Sequence, residues 1–259
     1  MDQTCGVLFM NLPKYSYPPG RFIHAAWDLL LASRRDLQED AKACIKHMQA
    51  ELKVWGQENI PQQGGCVLTI NHFHRPGLGA QWIALAVTAL VPLKMRWAVT
   101  GELICQGKWY RAIGSRASRL FLPRLAYLYD LITMPPMPPR SQDVEARAES
   151  VRTILRYVRR ERDPVLGISP EGHDSPNGVL SRPAPGFGRL AWLLSKTGMQ
   201  FIPAAGYEVD GIFHLHFGKA YQLCVRSSLS MDERDNQATR LVMENLACLL
   251  PADLRGDFA

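Results

Sequence analysis

The stretch "TINHFHRPGLGA", Thr69 to Ala80, puts Asn71, His72, His74 and Arg75 just after an apolar run and just before another. A neutral imidazole near pH 7 can take a proton from a hydroxyl without large tuning, which makes His72 a candidate general base. Gly77 and Gly79 allow a substrate close to the backbone. The N–H groups around Gly77, Leu78 and Gly79 would open the next helix toward an anion or a developing oxyanion. A second polar loop, "SPEGHDSPNGVLSRPAPG", carries Glu171, Gly172, His173, Asp174 and Arg182. A single histidine in a loop is as well explained by a bond to a nearby carbonyl. Two such loops meeting at one sheet end would instead make a cleft holding a base, an acid and cations. The same residues admit a metal reading, because His-x-His puts two rings on one face and His173, Asp174 and Glu171 could complete a zinc shell.

The flanking pattern says what must position these loops. "CVLTI", "MRWAVT", "LITM", "PVLGIS", "FIPAAGYEV" and "IFHLHFG" are short apolar runs that read as strands. Between them, Leu78 to Leu90, Trp109 to Tyr129, Val144 to Val158 and Met231 to Leu250 have helical spacing. The expectation is an α/β fold: a mixed, mostly parallel sheet covered by helices on both faces. Ahead of it, residues 1–62 read as an N-terminal helical cap of two helices, parting near Ser33 to Asp36 and ending at Gly56. Residues 63–259 form the remaining single unit. In such sheets the ligand crevice lies beyond the carboxyl ends of the strands, where both loops begin. His214 and His216 also alternate on a strand and read as a sheet pair, not a ligand pair.

The order of these blocks resembles the glycerolipid acyltransferases of the lysophosphatidic acid acyltransferase type. Their first block, N-H-x-x-x-x-D, is similar to "NHFHRPG", and their F-P-E-G-T-R block to "SPEGHD" with its "FIPAAGYE" continuation. The resemblance runs from Cys66 to Gly218. It implies acyl transfer from a coenzyme A or acyl-carrier-protein thioester to a glycerolipid-like hydroxyl, with the family's base at His72 and its third-block Glu and Gly at Glu171 and Gly172. It implies no cofactor and no resident metal. The chain departs from the pattern at three places. The family's Asp falls at Gly77, its third-block Arg at Asp174, and its middle-block Arg has no counterpart before Arg140. Asp174, from the second loop, is then the candidate to orient His72 or His74. Asn71, His74, Arg75, Gly172, His173 and Arg182 are candidate substrate-binding residues, and the acceptor need not carry a phosphate. A non-catalytic lipid- or acyl-binding protein is the alternative.

Composition narrows the partners. A net charge of +6 and a pI near 9.1 suit an anionic partner. The absence of RNP-like or zinc-finger spacing argues against nucleic acid and leaves lipid head groups and phosphorylated carriers. The six cysteines include no C-x-x-C and fit reduced core residues in the cytoplasm. No apolar run reaches the roughly 18 residues of a membrane span. A long-chain substrate therefore implies peripheral contact with the inner membrane face, through the amphipathic stretch from Arg21 to Leu31 or the basic and aromatic stretch from Trp109 to Phe121.

Overall fold

The computed structural model describes residues 14–103, 111–137, 140–174 and 178–259. A seven-stranded sheet runs through it in the order β1-β7-β6-β2-β5-β3-β4. The strands are β1 Glu51–Trp55, β2 Cys66–Ile70, β3 Arg96–Thr100, β4 Ile132–Met134, β5 Val165–Ile168, β6 Gln200–Val209 and β7 Ile212–Phe217. Every pairing is parallel except that of β6 with β7. Those two strands form a hairpin turning at Asp210 and Gly211, both at positive φ, the conformation a tight two-residue Asp-Gly turn requires.

The helices are α1 Pro19–Leu30, α2 Leu37–His47, α3 Ala80–Leu90, α4 Arg111–Tyr129, α5 Val144–Arg160, α6 Phe187–Ser195 and α7 Met231–Ala247. Alternation along β2 shows why two faces are covered. Cys66, Leu68 and Ile70 pack in one layer with Trp82, Ile83 and Val87 of α3. Val67 points into the other, with Ile154 of α5, Leu194 of α6 and Val242 of α7. The expected mixed sheet between helical layers is what the chain forms.

One element differs from the sequence expectation. The second helix does not continue to Gly56. It ends at His47, and "ELKVW" becomes the edge strand β1, paired with β7. Leu52 and Val54 pack on the core while Glu51, Lys53 and Trp55 face solvent, so five residues carry a period of two that reads as helix when joined to the preceding pattern. Gly56 does end the element: it sits at φ +67°, and a Cβ there would lie 2.0 Å from the carbonyl oxygen of Phe217.

Helix α1 buries none of its residues. It is moored by ion pairs, Arg21 to Asp40 at 3.1 Å and Asp28 to Arg35 at 2.5 Å. Its apolar side, with Phe22, Ile23, Trp27 and Leu30, faces outward, and α4 adds Leu120, Phe121 and Tyr127 to the exposed apolar surface. No helix among the described residues is long and apolar enough to cross a membrane.

Candidate active site

Strands β2 and β5 are parallel neighbours, with Thr69 opposite Ile168. Both loops therefore leave the same end of the sheet, and residues about a hundred positions apart meet. Asn71 fixes the start of the first loop. Its side-chain amide donates to the Gly206 carbonyl at 2.9 Å and its side-chain oxygen accepts the Gly206 N–H at 2.8 Å, tying the end of β2 to β6. The group is 1% exposed, so it faces the protein and not a ligand.

Glu171 fixes the loops to each other. One carboxylate oxygen accepts the backbone N–H of His72 at 2.6 Å. The other accepts the N–H of Ser181 at 2.7 Å and its hydroxyl at 3.0 Å. Burial pushes the Glu171 pKa up, and the Ser181 and His72 donors work against that rise. A carboxylate enclosed in this way positions the loop that carries His72. Gly172 follows at φ +68°, with the Met137 side chain packed where a Cβ would stand.

The rings come next. His72 Nδ1 lies 3.2 Å from Asp174 Oδ1, and His74 Nδ1 lies 3.4 Å from Asp174 Oδ2. An ionised carboxylate only accepts, so the His72 contact is an Nδ1–H donated to Asp174, and the ring's Nε2 carries the lone pair. The Asp174 pKa is lowered, chiefly by the hydrogen bond from His72, against a desolvation that raises it. The His72 side chain is 20% exposed and that of His74 48%, so both rings reach solvent. His173 turns its Nδ1 to the carbonyl of Asp174 at 3.2 Å. The His72 and His74 rings thus address different oxygens of one carboxylate. No cluster of three or more potential ligands fit for a metal ion occurs among the described residues.

Gly77 explains why no acid stands there. Arg75 and Leu78 exchange backbone bonds of 2.9 Å each way, closing a turn with Pro76 and Gly77 at its tip. Gly77 has φ +89°, as a type II turn with Pro-Gly demands. The turn also uses the Leu78 N–H, which the sequence reading places toward an oxyanion. The carboxylate beside the His72 ring comes from the neighbouring loop instead.

The candidate cations are engaged. Arg75 grips Glu208 through Nε at 2.8 Å and Nη2 at 2.5 Å, and lies over the ring of Tyr15. The Tyr15 hydroxyl donates to the same carboxylate at 2.5 Å. Arg182 donates to the Asn236 side chain at 3.0 Å. The N-terminus of α6 is closed by Asp235, which accepts the N–H groups of Gly186 and Arg189 at 2.7 Å each. Sequence reasoning missed Ser181, Glu208, Tyr15 and Asp235. Only the clustering of polar residues near strand ends hinted at the first two. His214 and His216 sit on β7 with Trp55 and Tyr207 as aromatic neighbours, the sheet pair expected.

Beside the two loops, the carboxyl ends of β3 and β4 line an open cleft of about 500 Å³ that includes Glu102, Arg119, Arg140 and Asp143. Arg140, the first basic residue after the stretch where the resemblance expects one, is paired with Glu102 at 2.9 Å and with Asp143 at 2.5 Å.

No curated protein matches the chain. Among solved structures, the 1-acyl-sn-glycerophosphate (LPA) acyltransferase PlsC from Thermotoga maritima aligns with a TM-score of 0.48 and 14% identity over 90% of this chain and 84% of that one. A family model described as Acyltransferase matches residues 51–206, from β1 through Gly206, more than half of the sequence and both loops of the site. The chain belongs to the Acyltransferase family.

Proposed function

We propose that the protein transfers a fatty acyl group from a coenzyme A or acyl-carrier-protein thioester to a hydroxyl of a glycerolipid-type acceptor. The observation that carries this reading is the 3.2 Å bond between His72 Nδ1 and Asp174, in a loop held by buried Glu171. That bond leaves Nε2 of His72 as the acceptor of a proton. As the acceptor oxygen attacks the thioester carbonyl, its proton passes to Nε2. The tetrahedral adduct then collapses, the C–S bond breaks, and the departing sulfur takes the proton back. The products are an ester and a free thiol. Asp174 acts through His72, stabilising the imidazolium formed midway. His74, on the other carboxylate oxygen, is the second polar ring available to the acceptor.

The acceptor and the acyl chain belong to bilayers, and α1 offers the contact. Phe22 is 65% exposed, Trp27 62% and Leu30 74%, with Arg21 and Arg34 alongside. Apolar residues flanked by arginines suit the headgroup boundary of an anionic membrane. The helix starts four residues after Tyr15, which touches the carboxylate gripped by Arg75 of the His72 loop, so this surface begins next to the site. The other expected segment includes Trp109 and Tyr110, which lie outside the described residues. The cytoplasmic face of the membrane is the location this reading implies.

The test is turnover of a long-chain acyl thioester, on coenzyme A and on carrier protein, with monoacylated glycerolipid acceptors. Thiol and ester should appear in equal amounts. His72→Ala should lower the rate by about 10³-fold or more with unchanged circular dichroism. Acyl chains that stay bound with no thioester consumed would instead identify a binding protein.

A further inference from the structure

We propose that the acceptor of this site bears an uncharged, hydroxyl-rich headgroup, and that Glu102 and Asp143 enforce that choice in the cleft at the carboxyl ends of β3 and β4. The inference rests on the acyl-transfer reading above and narrows its substrate class.

Among its described lining residues the cleft carries two carboxylates, Glu102 and Asp143, and two guanidiniums, Arg119 and Arg140. Glu102 is 7% exposed. Its two oxygens meet Arg119 Nε at 3.0 Å and Arg140 Nη2 at 2.9 Å, and Ser115 donates a hydroxyl at 2.5 Å. Arg140 also reaches Asp143 through Nε at 2.5 Å and Nη2 at 3.1 Å. Guanidinium groups recognise phosphate by presenting paired N–H donors to two of its oxygens. Here Nε of Arg119 and both Nε and Nη2 of Arg140 are engaged by the protein's own carboxylates. A phosphate monoester entering the cleft would lie beside those carboxylates, like charge against like. The rest of the cleft offers Thr133, Gln142 and Ser150. Such groups hydrogen-bond hydroxyls and discriminate weakly for charge.

The same balance holds near His72. Arg75 is gripped by Glu208, and Asp174 adds negative charge within 3.2 Å of the ring. The cleft is within reach of an acceptor whose reacting hydroxyl lies at His72. One strand, β5, separates β2 from β3, and a strand spacing of ~4.8 Å puts the ends of β3 and β4 roughly 10–14 Å from the end of β2. Met137, one residue beyond Pro136 of the cleft wall, packs on Gly172, so the two regions adjoin.

The test uses the purified full chain, one acyl thioester and three acceptors sharing an acyl chain: a 1-acylglycerol, its phosphate monoester, and a 1-acylglycerol bearing a hexose. Both kcat/KM and equilibrium binding in neutral detergent micelles are measured. The phosphate monoester should be the poorest by about tenfold or more in both, since like charge across a contact costs at least that much. Glu102→Gln and Asp143→Asn each remove one negative charge, and each should narrow the gap several-fold. Asp143 lies in a short turn before α5, so its variant serves if Glu102→Gln fails to fold. The two uncharged acceptors tell a bare glycerol from a sugar headgroup. Preference for the phosphate monoester, a ratio unmoved by the folded variants, or binding of none of the three overturns the inference. Binding that favours uncharged acceptors with no turnover of any would sink the acyl-transfer reading and support the charge argument.

Discussion

Oδ1 of Asp174 stands 3.2 Å from Nδ1 of His72, across 102 positions of sequence. The tip of the first loop is a Pro-Gly turn with Gly77 at φ +89°, in the left-handed region that glycine adopts freely. The carboxylate is instead delivered from the end of the adjacent strand. The imidazole and the carboxylate thus lie on separate loops, and a further contact fastens those loops together.

Glu171 is that fastener. Replacing it with Gln turns one accepting oxygen into a donor that faces N–H or O–H groups. Glu171→Gln should cost about 1–3 kcal/mol of stability and lower kcat more than it raises KM. Chemical denaturation and steady-state kinetics on the same preparation check both.

A second fastener reaches the N-terminal segment. The side chains of Arg75 and Glu208 are 14% and 4% exposed, and Tyr15 shares the carboxylate. Removing one partner strands the other charge, so Glu208→Ala should destabilise by about 3–5 kcal/mol. Tyr15→Phe should cost about 1.5–3 kcal/mol, as for a bond to a charged group. A double-mutant cycle that finds Tyr15 and Glu208 energetically independent would contradict this contact.

Acid should loosen the cleft before it unfolds the sheet. Burial raises the Glu102 pKa, but Ser115, Arg119 and Arg140 outweigh it and hold the group at about 2, against 4.5 unperturbed. A depressed carboxylate pKa stabilises the fold above the unfolded value, and the contribution fades as pH falls from 4.5 toward 2. The stability gap between wild type and Glu102→Gln should be about 3 kcal/mol near neutral pH and vanish across that window. Unfolding midpoints at several pH values would show it.

Helix α1 predicts a separable defect. Trp27→Glu places a charge on the exposed apolar side of the helix. It should weaken binding to anionic vesicles by about tenfold while leaving turnover of short-chain, water-soluble substrates unchanged. Sedimentation with vesicles of defined charge, at low and high salt, measures the first effect.

The sheet was readable because its central strands are fully buried and so appear as unbroken apolar runs, as in "CVLTI" and "PVLGI". Strand β1 was not, because an edge strand keeps one face in water and its five residues resemble the helix before it. In the site, His72 and Asp174 were legible as loop residues at strand ends, and their meeting follows from parallel pairing of β2 with β5. The partners of Arg75 were not. A loop arginine reads as a ligand for substrate until the fold supplies Glu208 and Tyr15, positions set by tertiary contact and unmarked by local pattern. Asn71 misleads in the same way, since its amide turns inward to Gly206.

The claim that His72 and Asp174 work as one unit is tested most directly by kcat for His72→Ala, Asp174→Asn and the double variant, each checked for folding. Residues that act through one another lose activity once, so the double variant should be no slower than His72→Ala alone. Losses that multiply, or an Asp174→Asn enzyme as fast as wild type, would mean that the carboxylate does not serve the ring.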